Sequence, residues 1–267
     1  MLYKSNKNVS IQTNGVNTNF SIVSILFHAA NIYKYVNFAN IELPKTPTLT
    51  NFQKLGDASL AVRNDKDYDA YYLVFYNVAA IVKETENGEM LGTILYKPSD
   101  KGPTEIMDTA QITGRGIFLS THSAAVVKIK QGESMNFTLG YVYSGSTNLV
   151  IVNHSENNTV VGLSAIELPQ NSVVHRYEPK SIVLLNSKSW KSLNMDAQLT
   201  FKNPTKLLIL YNFCIKTAGA SFTIRLKVGN KHSIRSVMNY QDSEYACGQG
   251  YVLEKLPQGK YKFDLEF

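Results

Sequence analysis

Residues 71–78 read YYLVFYNV, and residues 206–213 read KLLILYNF. Each is an apolar run of strand length, and Tyr76-Asn77 in the first recurs as Tyr211-Asn212 in the second. An apolar stretch this short, rich in Tyr, Val, Ile and Phe and bounded by polar turns, is the signature of a central strand covered on both faces. Its recurrence predicts a tandem repeat of one β unit.

Other landmarks recur in the same order, which is stronger than any one of them. Ser24-Ile-Leu-Phe27 parallels Leu149-Val-Ile-Val152, and Ala39-Asn-Ile-Glu-Leu-Pro44 parallels Ser164-Ala-Ile-Glu-Leu-Pro169. Phe52-Gln-Lys-Leu55 with Asp57-Ala-Ser-Leu60 parallels Trp190-Lys-Ser-Leu193 with Asp196-Ala-Gln-Leu199. Past the Tyr-Asn strands, Thr93-Ile-Leu-Tyr-Lys97 aligns with Thr223-Ile-Arg-Leu-Lys227, so that Arg225 replaces Leu95. Lys128-Ile-Lys-Gln-Gly132 then aligns with Lys255-Leu-Pro-Gln-Gly259. These matches divide the chain into a polar leader, 1–19, a first repeat, 20–144, and a second repeat, 145–267, with an insertion at 171–187 in the second and a longer stretch at 98–125 in the first.

Strand runs recur at the spacing of an antiparallel sandwich, and no 11-residue window has helical periodicity. Alternation supports this: Ile224, Leu226 and Val228 share one face of their strand, and Arg225 and Lys227 share the other. The expected fold class is all-β, two tandem antiparallel β-sandwich domains of jelly-roll type. At 44% hydrophobic and 18% charged, the 267 residues are enough for two buried cores. The best candidate for a membrane span, Ser21–Phe27, is only strand-sized, so no membrane insertion is expected.

Lys128–Gly132, the alternating strand Met135-Asn-Phe-Thr-Leu-Gly-Tyr141 and the small-residue strand Val161–Pro169 together resemble the closing strands of C1q-like and tumour-necrosis-factor-like jelly rolls. The resemblance covers about a third of each repeat. It implies a ten-stranded jelly roll that trimerises through an aromatic-rich face. Under it, the second repeat reaches Phe267 without its final strand, while segment 24–44 is a spare one. That segment is expected to complete a sheet, either in the second repeat or in a neighbouring chain.

Catalytic and metal motifs do not emerge. His28, His122, His154, His175 and His232 are isolated and do not recur at matched positions. Thr113-Gly114-Arg115-Gly116 lacks the lysine and following helix of a phosphate loop, and Glu84, Glu86, Glu89 and Asp100 lack the order of a calcium loop. No cofactor or metal is expected. Tyr76/Asn77 and Tyr211/Asn212 read as strand packing. Cys214 aligns with Ala79, which favours a buried thiol over a bridge to Cys247. Five Asn-x-Ser/Thr triplets, at Asn8, Asn19, Asn136, Asn153 and Asn157, decide nothing in a chain so rich in these residues.

Charge says more. The net +6 lies in the second half: from residue 163 onward there are 14 Lys/Arg against 8 Asp/Glu, and before it 13 against 13. Arg225, Lys227, Lys231 and Arg235 flank a hairpin at Gly229-Asn230 and form the candidate anion-binding patch, weighed against a solvated strand face. Its partner would be an anionic polysaccharide; nucleic acid is not an expected partner. The expected function is a non-enzymatic structural or recognition protein, a building block of an extracellular assembly that self-associates as a trimer or higher polymer. The alternative is a viral or phage particle component: capsid, decoration or fibre head. A carbohydrate-active enzyme would need two carboxylates facing one cleft, and no such pair stands out.

Overall fold

The structure is a computed structural model, and it describes residues 32–37, 41–44, 52–82, 89–98, 105–114, 118–144, 149–151, 161–170, 189–193, 197–216, 222–229, 233–240 and 245–267. The leader 1–19, the run Ser24–Phe27 and the insertion 171–187 lie outside these residues. Every regular element among them is a strand, so the all-β expectation holds. They contain no helix long and apolar enough to cross a membrane.

The strands are β1 (Ile32–Asn37), β2 (Ile41–Leu43), β3 (Gln53–Arg63), β4 (Ala70–Val82), β5 (Glu89–Lys97), β6 (Glu105–Gly114), β7 (Phe118–Ile129), β8 (Ser134–Ser144), β9 (Leu149–Ile151) and β10 (Val161–Glu167). They continue as β11 (Ala197–Phe201), β12 (Thr205–Lys216), β13 (Phe222–Val228), β14 (Ser233–Tyr240), β15 (Tyr245–Leu256) and β16 (Gly259–Glu266). One sheet has the order β3-β8-β5-β6, with β4 pairing β7 in the facing sheet. The same pattern returns as β11-β16-β13-β14, with β12 pairing β15. Strand for strand, the repeat inferred from the Tyr-Asn runs is visible in the ladders.

Each pair of sheets encloses its own core. Val74 and Tyr76 of β4 and Leu163 of β10 meet Leu95 of β5 and Phe137 and Leu139 of β8, all buried. In the second repeat Tyr211 and Phe213 of β12 meet Ile224 and Leu226 of β13 and Phe263 and Leu265 of β16. Burying each such side chain contributes about 1.5–3 kcal/mol, which is why the apolar residues recur at every second position of strands that cover a core on one face.

Bulges fix the register. In β3 the pairing with β8 shifts between Lys54 and Ser59, and Gly56 supplies the positive φ of 50° within that step. The β5–β6 ladder shifts between Leu95 and Tyr96, leaving Met107 as the extra residue, and the β13–β14 ladder shifts between Leu226 and Lys227, leaving Arg235. The shared bulge aligns Leu95 with Leu226, so Arg225 stands where the first repeat has Ile94 and Lys227 where it has Tyr96. The sequence alignment, which set Arg225 on Leu95, is one residue out of step, and in a strand one residue exchanges the two faces.

The first repeat is completed by segments from both sides of it. β10 lies between β4 and β1, with Leu163 opposite Tyr76 and opposite Tyr35, and β2 pairs β9. Strands β1 and β2, the described part of the segment 24–44 expected as a spare strand for the second repeat or a neighbour, are thus taken up in the sheet of β4 and β7. Strands β9 and β10, which the sequence reading assigned to the second repeat, pair in that same sheet.

Candidate functional site

The face of β13 and β16 that points away from the core holds the residues singled out by charge. Arg225 lies opposite Glu266, and Lys227 opposite Asp264. Arg225 Nε donates to Glu266 Oε2 at 2.7 Å, with Nη2 2.5 Å from the same oxygen, and Lys227 Nζ donates to Oε1 at 2.6 Å. These side chains are only 14%, 11% and 10% exposed for Arg225, Lys227 and Glu266. Trp190 covers Arg225: its ring centroid is 3.7 Å from the Arg225 guanidinium carbon. Neither the solvated face nor the open anion patch expected at Arg225 and Lys227 is what the fold makes of them, because one carboxylate binds both cations. Arg235 occupies the bulge of β14, and Lys231 lies outside the described residues.

Residues 191–193 are held beside the end of β16 by the backbone. Lys191 exchanges hydrogen bonds with Phe267, at 3.0 and 2.9 Å, Leu193 N donates to Leu265 O at 2.7 Å, and Ser192 forms a bridge to Glu266. Ser192 Oγ donates to Asp264 Oδ1 at 2.7 Å, which satisfies the second buried carboxylate. Burial pushes the Glu266 carboxyl up, but the hydrogen bonds and charges of Lys227 and Arg225 outweigh it and hold the group below the ordinary 4.5.

The first repeat builds the same place from apolar parts. Phe52 stands where Trp190 does, and its ring packs on Tyr96 with centroids 4.9 Å apart. Ile94, Met90 and Val142 complete a small cluster. Gly140 occupies the Glu266 position, and a methyl group on it would come within 2.7 Å of the Phe52 ring. A glycine lets the two rings lie down on the sheet; a glutamate at that point demands cations, and the second repeat supplies two. Glu266 and Trp190 were not identified from the sequence. The signal was the run Lys260, Lys262, Asp264, Glu266 at period two, opposite in sign to Arg225 and Lys227 where the strands meet.

A second feature is the outward face of the β12–β15 ladder. Leu208 lies opposite Leu253 and Leu210 opposite Tyr251, with Lys206 and Lys255 opposite each other at the rim. Tyr251 and Leu253 are each 45% exposed. The corresponding positions of the first repeat are partly closed: Leu73, at the Leu208 position, is 1% exposed, and Ala124, at the Tyr251 position, is 7%, while Phe75, at the Leu210 position, is 37% exposed. β6 of the first repeat lies against β15, so the exposed face adjoins the contact between the repeats.

The Tyr-Asn pair is packing. Tyr76 is buried, its hydroxyl donates to Asp108 Oδ2 at 3.2 Å, and burial followed by the Asp108 charge pushes its pKa well up. Asn77 lies across Gly162, where a side chain would collide with its amide. His122 is exposed, opposite Asn77. Among the described residues no group of three or more His, Cys, Asp and Glu could hold a metal ion.

No family model and no curated protein matches the chain. Among solved structures, murine APRIL at pH 8.0 is 15% identical over 52% of this chain and 99% of its own, with a TM-score of 0.33. The Eiger TNF of S. frugiperda is 11% identical over 56% of this chain and 98% of its own, at 0.34. The Penaeus vannamei nodavirus T=3 particle protein is 12% identical over 100% of this chain and 98% of its own, at 0.22. The resemblance to tumour-necrosis-factor-like jelly rolls is therefore weak and partial, and the architecture rests on the ladders themselves.

Proposed function

We propose that this chain is a non-enzymatic structural and recognition protein that assembles with copies of itself through the outward face of β12 and β15. The observation that carries the reading is the contiguous apolar surface of Leu208, Leu210, Tyr251 and Leu253. Covering the exposed halves of Tyr251 and Leu253 would contribute about 1 kcal/mol each, and the surface continues a contact that the two repeats already make. Support for a role without chemistry is that the neighbouring carboxylates Asp264 and Glu266 are taken up by Ser192, Arg225 and Lys227. The finer part of the reading is that the basic repeat holds an acidic glycan.

Light scattering at tens of micromolar tests the assembly. The wild-type chain should be an oligomer, and Tyr251→Glu with Leu253→Glu should reduce it towards a monomer with unchanged β-type circular dichroism. A monomeric wild type overturns the reading. An oligomer indifferent to the double substitution rejects this face. Should the double variant misfold, concentration-dependent protection of peptide 249–256 from hydrogen exchange in the wild type decides the same point.

A further inference from the structure

In the first repeat β4 is held on both sides, by β7 and by β10. β10 also completes the core beneath that sheet, since Val161, Leu163 and Ala165 are wholly buried in the same cluster as Tyr72 and Val74. β12 is the counterpart of β4 and β15 of β7, yet among the described residues nothing pairs with β12 on the side away from β15. The core records the difference. Leu207 and Ile209, which stand where Tyr72 and Val74 do, are only partly buried. An edge of this kind offers a row of backbone donors and acceptors, and beside it a strip of apolar core that one more strand would cover.

β10 shows what such a strand looks like. Residues 21–27 read SIVSILF, and Val23-Ser24-Ile25-Leu26 matches Leu163-Ser164-Ala165-Ile166 in kind, position by position. In that alignment Val23 and Ile25 face the core opposite Tyr211 and Ile209, as Leu163 and Ala165 do opposite Tyr76 and Val74. Ser24 and Leu26 then fall opposite Leu210 and Leu208 and lengthen the outward apolar surface. The insertion 171–187 also carries an apolar run, but it precedes β11 as β1 and β2 precede β3, and in the first repeat β1 lies outside β10, not against β4.

Geometry decides whose run it is. Phe27 stands five residues before Ile32, where β1 begins, and five residues fully extended reach about 17 Å. β1 lies three strand spacings from β7, and a strand beside β12 would lie two from β15, about 24 Å together. The contact between β6 and β15, through which the repeats meet, adds to that path. The run falls short of the β12 edge of its own chain.

We propose that residues 21–27 of a second copy pair with the outer edge of β12 and close the second core with Val23 and Ile25. The inference rests on the proposed meeting of copies at the β12–β15 face and names the segment that the partner contributes. Donation in one direction links copies into a ring or a filament, and mutual donation gives a pair.

The test is a disulfide across the proposed ladder, because directly opposed residues of paired strands are close enough for one. In chains whose own cysteines are removed by Cys214→Ala and Cys247→Ala, Ser24→Cys is introduced into one preparation and Leu210→Cys into another. Mild oxidation of the equimolar mixture should give a covalent dimer that reducing agent dissolves. In the otherwise wild-type chain, Val23→Arg with Ile25→Arg should lower the mass seen by light scattering to that of a monomer, with native circular dichroism. A bridge that forms within a chain carrying both cysteines, and not in the mixture, overturns the second copy as donor. Oligomers that neither bridge nor respond to the arginines overturn the edge pairing and leave the β12–β15 face standing, whereas a monomeric wild type overturns both. Should the cysteine variants misfold, hydrogen exchange of residues 21–27 in the wild type decides the same point: it should slow as protein concentration rises, and exchange independent of concentration overturns the pairing.

Discussion

Glu266→Gln is the sharpest test of the ionic cluster. The substitution keeps the shape and removes the one carboxylate that binds Arg225 and Lys227, leaving two cations whose side chains are 14% and 11% exposed. Breaking a buried pair from one side costs about 3–5 kcal/mol, because the abandoned charges stay out of water. The retained exposure puts the expected loss near the lower figure, about 3 kcal/mol. In a sandwich of this size that is a fall in melting temperature of roughly 12–20 °C. Acid should reproduce part of the effect. Since the folded Glu266 titrates below 4.5, its contribution is complete above that pH and is lost as the pH falls through the lower folded value. Denaturant titrations of wild type and variant should therefore converge as the pH drops below 4.5. Importing the whole set from the first repeat is the contrasting experiment: Trp190→Phe, Arg225→Ile, Lys227→Tyr, Asp264→Thr and Glu266→Gly together should be neutral or stabilising by about 1–4 kcal/mol. A single Gln variant that loses less than about 1 kcal/mol, or a transplant that unfolds the protein, would refute the claim that the two clusters occupy equivalent places.

Other outcomes follow from close contacts. Gly250→Ala should cost about 1–3 kcal/mol, because its methyl group would enter the Tyr211 ring, and a denaturation midpoint equal to wild type would contradict that packing. Leu95→Ala, emptying a wholly buried site, should cost about 2–5 kcal/mol by the same measurement, against a negligible loss for exposed Ile106→Ala. Cys214 and Cys247 stand directly opposite in the β12–β15 ladder, a backbone separation that a disulfide spans. Under oxidising conditions they should therefore bridge, with a mass two hydrogens lower before reduction and a gain of about 4 kcal/mol for a loop of this length; free thiols in the oxidised protein would refute it.

Much of this architecture was legible in the sequence because strand periodicity and the order of landmarks are local properties. Ile224, Leu226 and Val228 announce their face by alternation alone, and Leu55 and Leu193 proved equivalent as aligned. What escaped depends on pairing across the chain. The shared Thr-Ile pair, Thr93-Ile94 and Thr223-Ile224, sets Arg225 against Leu95, and the bulges at Met107 and Arg235 that put Arg225 against Ile94 instead exist only in the strand pairing. Its partner Glu266 lies on a different strand, and opposite charges far apart in sequence carry no sign that they will meet. The match of Cys214 to Ala79 is likewise local and says nothing of Cys247, the residue across the ladder.

The place of β10 between β1 and β4 has a consequence for synthesis. β1 ends at Asn37 and its ladder partner among the described residues begins at Val161, so the ribosome must add the residues between before that ladder can form. At about 5–20 residues per second that interval lasts roughly 6–25 s. During it β4 can already hold β7 on one side, while the backbone groups of Tyr72–Val78 on the other side await β10. The nascent chain thus carries an unfinished sheet edge through the translation of residues 83–160, and in a crowded polysome this is the period in which neighbouring chains are most able to exchange strands.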